Sequence, residues 1–235
     1  MSEKKLFVGD NLVKDSEGEI KGEYIHRDGE EFYKISNYDL MRPFFMTIVS
    51  AYDHWIFISS NGGVSAGRKN PDFALFPYYT DDKITDTSEI SGSKTILKVE
   101  KGDRVFLWEP FSNRYAGAYV VHRNLYKNRE GNKLLFEEFN EDLELVFTYM
   151  WTTADAFGFV KKSKLENLGK DSVSIELLDG LQNILPYGVD TGLQAIRSTL
   201  VDAYKKNEVH PATGMGLYTL SSMIVDKAEP SEALK

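Results

Sequence analysis

AYVVHRNLYKNREGNKLLFEEFNEDLELVFTYMW, residues 118–151, consists of three β-type runs cut by two polar turns. Tyr, Val, Leu and Phe concentrate in 118–126, 133–139 and 143–151, residue types that fit a pleated, half-buried surface. Lys127-Asn128-Arg129-Glu130-Gly131-Asn132 and Asn140-Glu141-Asp142 separate them, rich in the side chains that form turns. The same rhythm extends in both directions. Upstream, 24–26 and 32–35 flank Arg27-Asp28-Gly29-Glu30, and an Asp-Gly pair between such runs signals a hairpin. Residues 44–49 and 55–60 read as strands, and 95–99 and 105–108 form a second hairpin around Glu100-Lys101-Gly102-Asp103. Downstream, 157–165 and 172–178 continue the series. Turns recurring about every eight to twelve residues mark a sandwich or barrel, and the lack of a fixed-period repeat argues against a propeller or solenoid. The predicted fold is mainly β, an antiparallel two-sheet supersandwich with one substantial helix on the C-terminal side.

That helix is predicted over 191–208, where Leu193, Ile196, Leu200, Val201 and Tyr204 fall on one face. Asp190 or Thr191 caps its start, and Lys205 and Lys206 complement its dipole. Residues 217–225 return to strand-like composition. The expected division is therefore 1–190 supersandwich, 191–208 packed or linker helix, and 209–235 final strand and tail. Residues 226–235 read as a linker leading toward a further, catalytic domain.

One stretch stands apart. SSNGGVSAGRKNPDFALFPYYTDDKI, residues 59–84, carries neither helical nor strand periodicity. Loops this long inside a compact domain are usually functional. Its aromatic residues give it mass to pack, and aromatic faces beside fixed charges suit a polar ring such as a sugar. Asn61, Arg68, Lys69, Asp81 and Asp82 are the candidate binding residues here, with Trp108 as a stacking platform. In this reading Arg68 and Asp82 hydrogen-bond hydroxyls and Trp108 covers a pyranose face. A structural loop tying two sheets together is the plainer alternative.

Composition narrows the function classes. The net charge of −8, with Lys and Arg scattered, does not suit a general nucleic-acid binder. No cysteine is present, so disulfides, thiolate metal sites and Cys nucleophiles drop out. No run approaches the roughly eighteen apolar residues of a membrane span. MSEKKLFVGDN turns polar after three apolar residues, so no signal peptide is expected and the chain reads as soluble and cytoplasmic. His26, His54, His122 and His210 show no metal-ligand spacing, and no cofactor motif occurs. Glu137 and Glu138 are adjacent strand residues and must point to opposite faces. One is expected to be solvated and the other to edge the sheet, which does not make a catalytic pair.

The succession Val105-Phe106-Leu107-Trp108, then 119–126, 134–140, 143–151 and Lys161-Lys162-Ser163-Lys164-Leu165-Glu166-Asn167 resembles the N-terminal, galactose-mutarotase-like supersandwich domain of large carbohydrate-active enzymes of the cellobiose-phosphorylase type. Leu165-Glu166-Asn167 followed by Asp171-Ser172-Val173-Ser174-Ile175-Glu176-Leu177 is similar to the β-rich runs late in that domain. The resemblance implies that an (α/α)₆ barrel follows through a helical linker and that the 60–82 segment reaches its active site. The family's catalytic acid lies in the barrel, so no catalytic residue carries over. Asp179-Gly180-Leu181-Gln182-Asn183-Ile184-Leu185-Pro186-Tyr187-Gly188 has no counterpart in the phosphorylases, which leaves hydrolase, phosphorylase and debranching chemistry open.

The leading functional expectation is a non-catalytic module that positions oligosaccharide or lends a loop to a neighbouring catalytic domain. Its expected partners are sugar, that downstream domain and a homodimer mate. A free-standing mutarotase-like epimerase, with a Glu and His122 or His54 as acid and base, is the alternative. A purely structural or dimerisation domain is the third.

Overall fold

The computed structural model describes residues 5–14, 18–222 and 224. In chain order the first strands are β1 (Phe7–Val8), β2 (Asn11–Leu12), β3 (Lys21–Arg27), β4 (Glu30–Ser36), β5 (Phe45–Thr47), β6 (His54–Ser59), β7 (Val64–Arg68), β8 (Ala74–Phe76), β9 (Gly92–Lys101) and β10 (Arg104–Trp108). They are followed by β11 (Val121–Asn128), β12 (Leu134–Asn140), β13 (Leu145–Ala154), β14 (Gly158–Asn167), β15 (Ser174–Gln182), β16 (Lys205–His210) and β17 (Met215–Leu220). Helical turns are α1 (Asp81–Ile84), α2 (Thr191–Ile196) and α3 (Ser198–Tyr204).

The fold is mainly β and its strand pairs are antiparallel. A six-stranded sheet runs β14-β13-β12-β11-β4-β3. A four-stranded sheet, β5-β6-β7-β8, and a three-stranded sheet, β10-β9-β15, supply the opposing residues of one core. The period-2 alternation of strands explains the layering. In β12, Leu134 and Phe136 face inward, while Leu135 belongs to a separate cluster with Phe32 and Tyr126 on the other face. Within the six-stranded sheet Phe136 of β12 stacks on its cross-strand neighbour Tyr149 of β13 with ring centroids 4.7 Å apart, and across the sandwich Phe76 meets Trp151 edge-on at 6.0 Å. Ile56 and Ile58 of β6 and Leu97 and Val99 of β9 complete the apolar interior. Burying apolar area of this kind contributes roughly 25 cal/mol per Å².

The runs read in 118–151 form β11, β12 and β13, paired in sequence. The Asp28-Gly29 turn joins β3 to β4, and Glu100 to Asp103 lie at the turn between β9 and β10. Two expectations change. Residues 59–84 are not one open loop, because Val64–Arg68 is an interior strand of the four-stranded sheet. Its small residues hid it. A Cβ on Gly63 would lie 2.1 Å from the Ile84 carbonyl oxygen, and one on Gly67 would lie 2.5 Å from the Trp55 ring. Close packing therefore demands residues that score poorly as strand formers.

The helix expected over 191–208 is broken and shorter. Asp190 does cap it, accepting the Leu193 N–H at 2.7 Å. At Arg197 (φ −134°, ψ 32°) α2 ends and α3 begins, and after Tyr204 the chain turns into β16, which pairs with β17. Lys205 is the C-cap of α3 and at the same time the first residue of β16, and Lys206 lies within that strand. Val201, Leu220, Leu185 and Val189 form a small second core over Ala74, so these helices pack against the sandwich. Residues 226–235 lie outside the described residues. No helix among the described residues is long and apolar enough to cross a membrane.

Candidate functional site

Three connections meet at one end of the four-stranded sheet. The first joins β7 to β8: Asn70 Oδ1 accepts the Asp72 N–H at 3.0 Å and fixes a short turn at Pro71–Phe73. The second is the hairpin tip between β13 and β14, where Asp155 Oδ1 accepts the Ala156 N–H at 2.8 Å. The third is an arch, residues 185–189, anchored where the Leu185 N–H donates to the Leu75 carbonyl at 2.8 Å. Together they line a cleft of about 640 Å³, within the range of small-ligand sites, roughly 300–1,000 Å³.

The cleft offers rings and charges side by side. Phe157 is 85% exposed, Tyr187 78% and Phe73 43%. An apolar ring left this open at a turn has no core to fill, and aromatic faces with polar neighbours are suited to amphipathic ligands. Arg68 is tied to Asp53, its Nε and Nη2 donating to the same Oδ1 at 3.0 and 2.7 Å. Lys69 Nζ lies 5.6 Å from the Phe73 centroid. Asp72 accepts from Thr191 twice, from the hydroxyl at 2.7 Å and from the N–H at 3.1 Å. Those bonds, the hydroxyl's first, hold the Asp72 carboxyl below the usual carboxylate range. It is therefore a standing hydrogen-bond acceptor at neutral pH rather than a proton donor.

The residues expected from sequence divide. Arg68 and Lys69 both line this cleft. Asn61 lies elsewhere, in the β6–β7 turn, where it accepts the Ser59 hydroxyl and donates to the Thr85 carbonyl at 2.8 Å. Asp81 and Asp82 have their backbone in α1, and their side chains lie outside the described residues. Trp108 is 2% exposed, with its indole N–H donating to Glu138 at 2.8 Å. A ring enclosed in the core has no free face for a sugar, so the stacking role assigned to it is corrected. Asp72, Asp155, Phe157 and Tyr187 are the cleft residues that strand patterning did not flag. The available signal was an aromatic residue beside turn formers in Asp155-Ala156-Phe157-Gly158 and Pro186-Tyr187-Gly188.

The acid and base of the epimerase alternative are also placed. His122 Nε2 lies 2.7 Å from Glu141 Oε1, and its ring stacks on Phe139. His54 is 8% exposed, wedged edge-on against Phe159, with Nδ1 3.3 Å from the Ser50 hydroxyl. Burial, and then the nearby Arg68 charge, hold its pKa down, so the imidazole is neutral at physiological pH.

Glu137 and Glu138 do occupy opposite faces, but neither is solvated. Glu138 accepts from Trp108, from the Phe111 N–H at 2.6 Å and from Arg123 Nε at 2.7 Å. Glu137 accepts from Tyr126, Asn124 and Arg27 at 2.5, 2.9 and 3.1 Å. Buried charges persist only when paired in this way. No known protein family and no curated protein matches the chain.

Proposed function

We propose that this chain is a non-catalytic carbohydrate-binding module, cytoplasmic, that presents oligosaccharide to a catalytic domain following it in a longer enzyme. The observation that carries the reading is the juxtaposition of three exposed rings with fixed charges in one cleft of about 640 Å³. Sugars present apolar C–H faces and a rim of hydroxyls. Rings such as Tyr187 and Phe157 suit the faces, while Asp72, Arg68 and Lys69 suit the rim. The ionised Asp72 favours binding over acid catalysis, since a general acid needs a proton near the working pH. Titration calorimetry with gluco-oligosaccharides tests this. Heat from the parent chain and weaker heat from Arg68→Ala support the reading, and no heat at any chain length removes it.

A second reading, a structural or dimerisation domain, has one observation in its favour. Val105, Leu107 and Leu178 lie on the outer face of the three-stranded sheet and are 64%, 44% and 67% exposed. Sedimentation of the parent chain against Leu178→Asp discriminates: a dimer lost in the variant supports it, and a monomer in both opposes it.

A further inference from the structure

A second groove, of about 440 Å³, lies against the same arch. Leu185 and Val189 line both hollows, so the two share a wall. That wall is well anchored. Asp72 of the first hollow accepts the hydrogen bonds of Thr191 from the second, and Gln194 Nε2 holds the Val189 carbonyl at 3.3 Å. The second groove repeats the chemistry of the first, its charged residues Asp202 and Lys205 being paired with each other at 2.7 Å. It presents the rings of Tyr78 and Tyr79 beside the amides of Asn183 and Gln194 and the hydroxyl of Ser198. The side chains of Asn183 and Ser198 have no hydrogen-bond partner among the described residues, which leaves them free to meet a ligand's hydroxyls. Tyr187, the most exposed ring of the arch, stands between the buried Leu185 and Val189 in sequence.

We propose that the two hollows are one extended site whose ligand is a linear oligosaccharide, the chain passing over the arch at Tyr187. This rests on the carbohydrate reading of the first cleft and adds the length of the ligand to it. Two sites joined through a rigid wall bind one chain with a single association cost, so affinity must rise once the chain is long enough to enter both. A disaccharide occupies one hollow. A hexasaccharide reaches the second.

The test is calorimetric titration of the full chain with gluco-oligosaccharides from disaccharide to hexasaccharide. The parent is compared with Tyr78→Ala, which removes a ring from the second groove, and with Ala195→Trp, which fills it from an exposed helix position. The inference expects the hexasaccharide to bind the parent at least about tenfold more tightly than the disaccharide. Both variants should erase that gain and leave disaccharide affinity unchanged. Equal affinity for short and long chains, or a length gain that survives both variants, overturns the extended site while leaving the first cleft's reading intact. Failure of every chain to bind overturns both.

Discussion

Glu137 and Glu138 are consecutive in β12, yet their carboxylates serve separate networks on opposite faces of the six-stranded sheet. Glu138 reaches into the core and is 1% exposed. There it holds Arg123, whose Nη1 and Nη2 also donate to Asn113 Oδ1 and the Ser112 carbonyl, each at 3.0 Å. One carboxylate thus fastens the 109–114 segment to the sheet.

Removing Glu138 leaves Arg123 charged and buried without its partner. Glu138→Gln is expected to cost about 3–5 kcal/mol of unfolding free energy, the scale for breaking a buried pair. The double variant Glu138→Gln/Arg123→Met should cost less than the sum of its singles, because the two residues act as a unit. Urea unfolding of the four proteins measures this, and strict additivity would show that the pair does not couple.

Glu137 makes the stability depend on acid. Burial raises its carboxyl pKa, but the bonds from Tyr126, Asn124 and Arg27 outweigh that and leave it below the usual range. A carboxyl whose folded pKa is depressed stabilises the fold above its unfolded pKa of about 4.3, and that stability is lost as pH falls through the folded value. The stability gap between parent and Glu137→Gln should therefore be widest near neutrality and close on acidification below about pH 4. A gap independent of pH would contradict the ionised network.

Trp108 and Tyr187 should behave as opposites. Trp108→Ala empties a core position and is expected to cost about 3–5 kcal/mol in stability. Tyr187→Ala touches an exposed ring and should shift stability by no more than about 0.5 kcal/mol. It should weaken oligosaccharide binding about three- to tenfold, the worth of one aromatic contact. Thermal unfolding and calorimetry on the same samples separate the two effects.

Gly63→Ala tests the hidden strand. Its Cβ would press against a backbone oxygen, Ile84 O, which cannot swing aside as a side-chain tip can. A loss of about 1–3 kcal/mol is expected, as for other overpacked sites. A neutral effect in chemical denaturation would mean that the turn leading into β7 does not approach α1 so closely.

These cases mark what could be read from residues alone. Strands such as β12 and β13 were legible because Leu, Phe, Val and Tyr alternate between bracketing turns, so local preference and tertiary burial agree. β7 was not, because Gly63 and Gly67, which flank Val64-Ser65-Ala66, closely approach Ile84 and Trp55 respectively, and spacing in the chain does not reveal such neighbours. The helical pattern of 191–208 hid β16 for a related reason. Pairing with β17 overrides the periodicity beyond Tyr204, and Pro211 and Gly214 at the intervening turn were the available signal. Of the cleft's lining, Arg68 and Lys69 lie in the segment that stands out in the sequence. The remainder comes from the 155–158 and 185–189 turns, which are remote in sequence and meet the first segment only in the folded chain.

Amide ¹H–¹⁵N spectra recorded while a gluco-oligosaccharide is added test the central claim most directly. The account predicts saturable shifts concentrated at residues 67–75, 155–159 and 185–189, diminished in Tyr187→Ala. Unchanged spectra, or shifts confined to another face such as that of Val105, Leu107 and Leu178, would contradict it.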